Sequence, residues 1–82
     1  MNVRIYDNPR TIDRFTVVYL DHPERAGLFA ARAMSDHPFH PLGFCQCTQA
    51  EPGRHLGRRI AFDDLPADCQ RVIISDLSEV AE

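Results

Sequence analysis

Arg14-Phe15-Thr16-Val17-Val18-Tyr19-Leu20 is the stretch that decides the fold. Phe15, Val17 and Tyr19 alternate with Thr16, Val18 and Leu20, the period of two of a β-strand. β-Branched and aromatic residues dominate it, as suits a pleated, half-buried surface. Both sets are largely apolar, so both faces need cover. That predicts a central strand with a helix on one side and a loop or a partner on the other. Asp21-His22-Pro23-Glu24 reads as its end, with His22 a solvated turn residue.

On the N-terminal side, Val3, Ile5 and Tyr6 predict a short extended stretch, stopped by Asp7-Asn8-Pro9. Arg10 to Asp13 connects it to the central strand. On the C-terminal side, Ala30, Ala31 and Ala33 favour helix, whereas Gly27 and the preceding hairpin-like turn favour a second antiparallel strand. The strand reading, Leu28 to Met34, is preferred. Ser35 to Pro41 is irregular, because Pro38 and Pro41 remove backbone donors and restrict His37 and His40. Phe39 and Phe44 are expected to plug this loop onto the sheet. Gly43 to Thr48 reads as a short strand, Gln49 to Gly53 as a turn and Arg54 to Gly57 as loop. Arg58 to Phe62 returns as a strand with Ile60 and Phe62 on one face.

Asp63-Asp64-Leu65-Pro66 signals a helix start, an acid for the cap and proline in the first turn. Leu65, Cys69, Val72, Ile73, Leu77 and Val80 then recur at threes and fours, one apolar stripe. Asp63, Asp64 and Asp68 suit the positive end of the helix dipole; Asp76, Glu79 and Glu82 oppose the negative end and favour fraying. Ile74 falls off the stripe, a candidate contact for a partner. Together these elements predict one α+β domain over residues 1–82. Sheet and loop occupy 1–62, with an antiparallel sheet of three to four strands, and an amphipathic helix over 64–80 packs on it.

A chain of 82 residues buries only about 60% of its unfolded surface, which leaves little free energy for a deep catalytic cleft. A binding protein is therefore expected rather than an enzyme. The nine basic residues are all arginine. Residues 1–59 hold eight of them against six acids, whereas residues 60–82 hold only Arg71 against six acids. Such an acidic end argues against direct nucleic-acid binding through that element. Three cysteines is an odd number, and Cys45 and Cys47 are too close in sequence for an easy disulfide. With no secretory h-region over Met1 to Asp13 and no apolar run near the roughly 18 residues of a membrane helix, the expected setting is a reducing cytoplasm with no membrane contact.

Three chemistries compete for the residues between Ser35 and Ile60. His37, His40, Cys45, Cys47 and His55 offer enough ligands for structural zinc, but H-x2-H and C-x-C are each a residue short of the usual spacings. The C-x-C pair is also expected to aim its sulfurs to opposite faces of a strand, so no metal or other cofactor is assigned. A Cys–His nucleophile, oriented by Asp36, lacks any sign of an oxyanion hole. Gly53-Arg54-His55-Leu56-Gly57-Arg58-Arg59 could grip an anion, yet it lacks the lysine and the strand–loop–helix context of a phosphate loop. The plainer alternatives are a glycine-shaped turn with arginines that neutralise the acidic helix, and Cys45 or Cys47 as simply a small buried apolar residue.

The segments Asp13-Arg14-Phe15-Thr16-Val17-Val18, Met34-Ser35-Asp36-His37-Pro38-Phe39-His40-Pro41-Leu42-Gly43-Phe44-Cys45-Gln46, Gly53-Arg54-His55-Leu56-Gly57-Arg58-Arg59-Ile60 and Leu65-Pro66 share a pattern. It resembles that of a group of small proteins of phages, prophages and mobile elements: D-R-[YF]-T-V, M-S-x-N-P-x-x-P-x-G-F-x-Q, G-x-H-L-G-[KR]-[KR]-[IV], then L-P and an amphipathic helix. His37 stands where the pattern has Asn, and His40, Cys45 and Cys47 also depart from it. His55 and Gly57 match it and are expected to shape the loop. By analogy of size and genomic setting, the resemblance implies an inhibitor of host defence, above all an anti-CRISPR protein. Such a protein would bind effector subunits in the host cytoplasm and block their target nucleic acid. Asp63, Asp64, Asp68, Asp76 and Glu79 would serve as a phosphate mimic in a basic channel, with Phe39, Arg54, Arg58 and Arg59 as the second contact surface. The alternatives are a structural or regulatory phage protein and a zinc-stabilised interaction module.

Overall fold

The computed structural model describes residues 2–80, with the side chains of Glu79 and Val80 outside the description. Its strands are β1 (Val3–Asp7), β2 (Phe15–Arg25), β3 (Leu28–Met34), β4 (Cys45–Ala50) and β5 (Arg58–Ile60), followed by one helix, α1 (Ala67–Val80). The fold is α+β. All five strands form one antiparallel sheet in the order β4-β3-β2-β1-β5. The sequence predicts three to four strands; the sheet has five, with β5 pairing with β1 through Ile5–Ile60, Tyr6–Arg59 and Asp7–Arg58.

The central strand lies where its alternation requires. Phe15, Val17 and Tyr19 face α1 in a core with Ile5, Met34, Leu65, Cys69, Val72 and Ile73. Each fully buried aliphatic residue of this kind contributes about 1.5–3 kcal/mol. Val18 faces the other way with Tyr6, Ala31 and Ala50, and Leu56 packs on them from the chain that crosses from β4 back to β5. The loop that the two-sided pattern demands is thus the 51–57 crossover. Beneath it lie Tyr6, Val18, Ala31 and Ala50, with Leu20 and Phe29 packed at the margin.

Several boundaries differ from expectation. β4 runs Cys45–Ala50 rather than Gly43–Thr48, so Gln49 and Ala50 belong to the strand and not to the turn. β2 does not stop at Asp21 but runs on to Arg25, with register shifts on either side of Pro23. A proline breaks a ladder in the middle of a sheet but is tolerated at an irregularity. The reversal falls at Ala26-Gly27 instead, where Gly27 takes φ 77°. Leu28–Met34 is a strand, as preferred. The helix begins at Ala67 rather than residue 64. Pro66 holds Leu65 extended (φ −79°, ψ 147°), so Phe62–Asp64 forms a separate 3-10 turn. Asp64 caps that turn, its Oδ2 accepting from the Ala61 N–H at 3.0 Å. The first helical bond runs from the Gln70 N–H to the Pro66 carbonyl. Phe62 packs against the main core beside Ile60, as expected, although it has left the strand. No helix among the described residues is long and apolar enough to cross a membrane.

Gly57 is where the crossover re-enters the sheet. Its φ is 118°, and a Cβ there would stand 2.5 Å from the Asp7 carbonyl oxygen. Only glycine fits, so Gly57 shapes this corner by necessity.

Candidate interaction surface

The irregular segment 36–44 is built on Ser35, which is buried at the end of β3. The Ser35 Oγ accepts from the N–H groups of Phe44 (3.0 Å) and His37 (3.3 Å), and the Ser35 N–H donates to the Phe44 carbonyl at 2.7 Å. Within the loop the His40 N–H donates to the His37 carbonyl and the Gly43 N–H to that of His40. The His40 Nδ1 accepts from the Leu42 N–H at 3.0 Å, so this histidine works as a local turn brace. Gly43 passes so close to the His37 carbonyl that a side chain at 43 would collide with it.

Phe39 does not plug this loop onto the sheet. Pro38 is the buried residue, and Phe39 remains 59% exposed and Leu42 90%. Phe44 is half-buried. Phe39 lies under the Arg71 guanidinium of α1, 5.3 Å from carbon to ring centroid, a cation–π contact. Arg71 also donates to Asp68 at 3.2 Å, one turn earlier. Three residues further along the same side of the helix stands Ile74, 54% exposed. Loop and helix together therefore present Phe39, Asp68, Arg71 and Ile74.

Acidic groups collect at the N-terminal end of this surface. Asp63 and Asp64 are exposed on the 3-10 turn. Burial pushes the Cys69 thiol up to about 11, and the negative charges of Asp36 and Asp68 nearby push it the same way. Contrary to expectation, Cys45 and Cys47 are both exposed on the edge strand; Cys69 is the buried cysteine, its thiol donating to the Ser35 carbonyl at 3.3 Å.

Asp76 is engaged within the chain. Its carboxylate accepts two hydrogen bonds from Arg32 of β3, at 2.5 and 3.0 Å, and one from the Tyr19 hydroxyl at 2.6 Å. Hydrogen bonding to Asp76 raises the Arg32 pKa, and burial raises that of Tyr19. The network sits beside an open cavity of about 340 Å³ whose lining includes Cys47, His22 and Glu24. A sequence signal for it exists. Arg32 falls between Ala30 and Met34 on the core-facing set of β3, and a guanidinium there calls for a carboxylate from the covering helix.

The remaining candidates separate. Arg54 lies on the crossover, and Arg58 and Arg59 lie on β5, at the far edge of the sheet from the 36–44 loop's strand β4. Neighbours in a strand, Arg58 and Arg59 project to opposite faces. Glu79 lies in the last described turn of α1, and its side chain, like all of Glu82, falls outside the described residues. Among the described residues His37, His40, Cys45, Cys47 and His55 do not converge on a point that three ligands could share. The two exposed cysteines do share a face, contrary to the expectation of opposed sulfurs. Residues two apart on a strand point the same way, and both lie on the side of Arg32.

No protein-family model, curated protein or solved structure matches this chain.

Proposed function

We propose that this protein is a non-enzymatic binder that obstructs a bacterial defence complex, with a CRISPR effector as the class of target. The observation that carries the binding part is the surface built from Phe39, Arg71, Asp68 and Ile74. Two large apolar side chains stand exposed on braced elements, one of them stacked under an arginine. Aromatic and arginine side chains of this kind dominate binding energy in protein interfaces. They are held in place before any partner arrives, which lowers the ordering cost of association.

The choice of target follows from the charge beside that surface and from the resemblance of the sequence to phage and mobile-element proteins. Asp36, Asp63, Asp64 and Asp68 give the acidic end that would meet the basic nucleic-acid channel of an effector. Asp76 is committed to Arg32 and Tyr19, which leaves the expected phosphate-mimic role to Asp63, Asp64, Asp68 and Glu79, with Asp36 added from the loop.

The test is a pull-down of tagged protein from host lysate, with and without an induced CRISPR system, followed by mass spectrometry. Stoichiometric effector subunits are expected. The triple reversal Asp63→Lys, Asp64→Lys, Asp68→Lys and, separately, Phe39→Ala should each weaken capture by about tenfold or more. Recovery of virion or replication proteins would move the assignment to a structural or regulatory phage protein. Effector capture untouched by both variants would rule out this surface.

A further inference from the structure

The two edges of the sheet are unlike. β5 is three residues long and carries Arg58 and Arg59, a short charged edge of the kind that discourages strand addition. β4 is six residues long, Cys45-Gln46-Cys47-Thr48-Gln49-Ala50, with no charge and no proline. Cys45, Gln46, Cys47 and Gln49 are exposed. Among the described residues β4 pairs with β3 alone.

The hydrogen-bond phase of this edge can be worked out. The Ser35 N–H donates to the Phe44 carbonyl, so these two residues form a hydrogen-bonded pair at the head of the β3–β4 ladder. Pair types alternate along an antiparallel ladder. Met34–Cys45, Arg32–Cys47 and Ala30–Gln49 are therefore non-hydrogen-bonded pairs. It follows that Cys45, Cys47 and Gln49 turn their N–H and C=O groups outward. No other backbone bond engages them.

We infer that β4 pairs antiparallel with β4 of a second copy of this chain, about a two-fold axis at Cys47, to make one continuous ten-stranded sheet. An isologous antiparallel contact needs an edge complementary to itself, and this phase supplies one. With the axis at Cys47, Cys47 faces Cys47 of the second copy and Cys45 faces its Gln49. Every outward N–H then meets an outward C=O, and all three pairs are of the hydrogen-bonded type. An axis one residue along, at Thr48, leaves Cys45 opposite Glu51, beyond the end of the strand. Charge agrees with this occupant. The paired strands carry none; on that face Arg32 is already paired with Asp76, and the Glu24 carboxylate is held by the Gln49 amide of its own copy. On the same face, directly opposed Cys47 side chains come within the Cα separation of about 5.5 Å that a disulfide accepts.

Sedimentation equilibrium of the full chain in reducing buffer tests the dimer. A reversible species of twice the single-chain mass is expected, growing with concentration. Mild oxidation should then give one covalent dimer that persists in Cys45→Ser and vanishes in Cys47→Ser. Cys47→Pro is the discriminating variant. The Cys47 N–H points away from β3, so proline there removes no bond of the fold, and the melting temperature should hold while the dimer is lost. Three results would each overturn the inference. They are a chain that stays monomeric at every concentration, a dimer that survives Cys47→Pro, or a cross-link that passes through Cys45 instead. The first would leave the edge open for a strand of another protein.

Discussion

Two arginine–aspartate pairs anchor on α1, and they do opposite work. Arg32–Asp76 reaches from the sheet to the helix. Its side chains are only 20% and 14% exposed, and Tyr19 closes it with a third hydrogen bond. Arg71–Asp68 stays on one side of the helix, with side chains 71% and 45% exposed. The first pair is largely shielded from water and binds two elements together. The second is solvated, adds little to stability, and leaves Arg71 free to hold Phe39 at the surface. Charge alone does not separate a structural aspartate from one that faces a partner; the strand register opposite it does.

The contrast can be broken most directly at Asp76. Asp76→Ala would leave the Arg32 guanidinium and the Tyr19 hydroxyl without their partner, at a cost of about 3 kcal/mol in urea unfolding. That corresponds to a fall of roughly 12–24 °C in melting temperature for a domain of this size. Asp76→Asn, which keeps hydrogen-bonding capacity but loses the charge, should recover part of it. A loss below about 0.5 kcal/mol would put this pair in the same class as the exposed one. Gly57→Ala comes next, at about 2 kcal/mol, because the corner needs positive φ and has no room for a Cβ beside Asp7.

A third pair sharpens the comparison through pH. Asp7 is buried on β1, and its hydrogen bonds from Arg14, at 2.7 and 3.0 Å, hold its carboxyl below the usual aspartate range. The folded state thus keeps Asp7 ionised to lower pH than the unfolded chain does. Its stabilising effect is complete above the unfolded value, near pH 4, and is lost as pH falls through the lower folded value. Melting temperatures followed downward from neutral pH should fall more steeply for the native chain than for Asp7→Asn. Parallel curves would show that the pair gives no linkage. The smallest effect belongs to Asp68→Ala, less than about 0.5 kcal/mol, with partner capture weakened all the same. A large stability loss there would erase the distinction between the two aspartates.

How much of this was legible in the sequence varies with the range of the interactions involved. Alternation in Phe15 to Leu20 and the three–four stripe from Leu65 to Leu77 are local signals that find both elements and their buried faces, although the strand runs on to Arg25 and the helix starts at Ala67. The α+β class followed from them. β5 completes the sheet by pairing with β1 more than fifty residues away, as in Ile5–Ile60, and no local pattern encodes that partner. At Pro23 a local rule misled, because a bulge accommodates the proline that would otherwise end the strand. The surface was half legible. The sequence puts Phe39 and Asp68 on separate candidate surfaces and shows Arg71 only as a lone base in an acidic helix; in the structure Arg71 touches both. Its stacking on Phe39 depends on how Ser35 folds the loop back toward α1. Asp76 shows the reverse case, where a charge that reads as exposed is claimed by a residue 44 positions earlier.

The pairing of β5 with β1 also bears on the order in which the sheet assembles. β1 to β4 form a meander whose neighbours in space are neighbours in sequence, so each hairpin closes a short loop. β5 must instead close a loop that contains nearly the whole sheet, and its ordering entropy is recovered only once β1 is already in place. Native contacts at β5 are therefore expected to form after the folding barrier has been crossed. In a stopped-flow chevron, Gly57→Ala should steepen nothing and leave the refolding rate nearly unchanged, while unfolding accelerates by about thirtyfold. The lifetime of the native chain is then governed at this last-fastened edge, and the speed of its making in the meander on the other side.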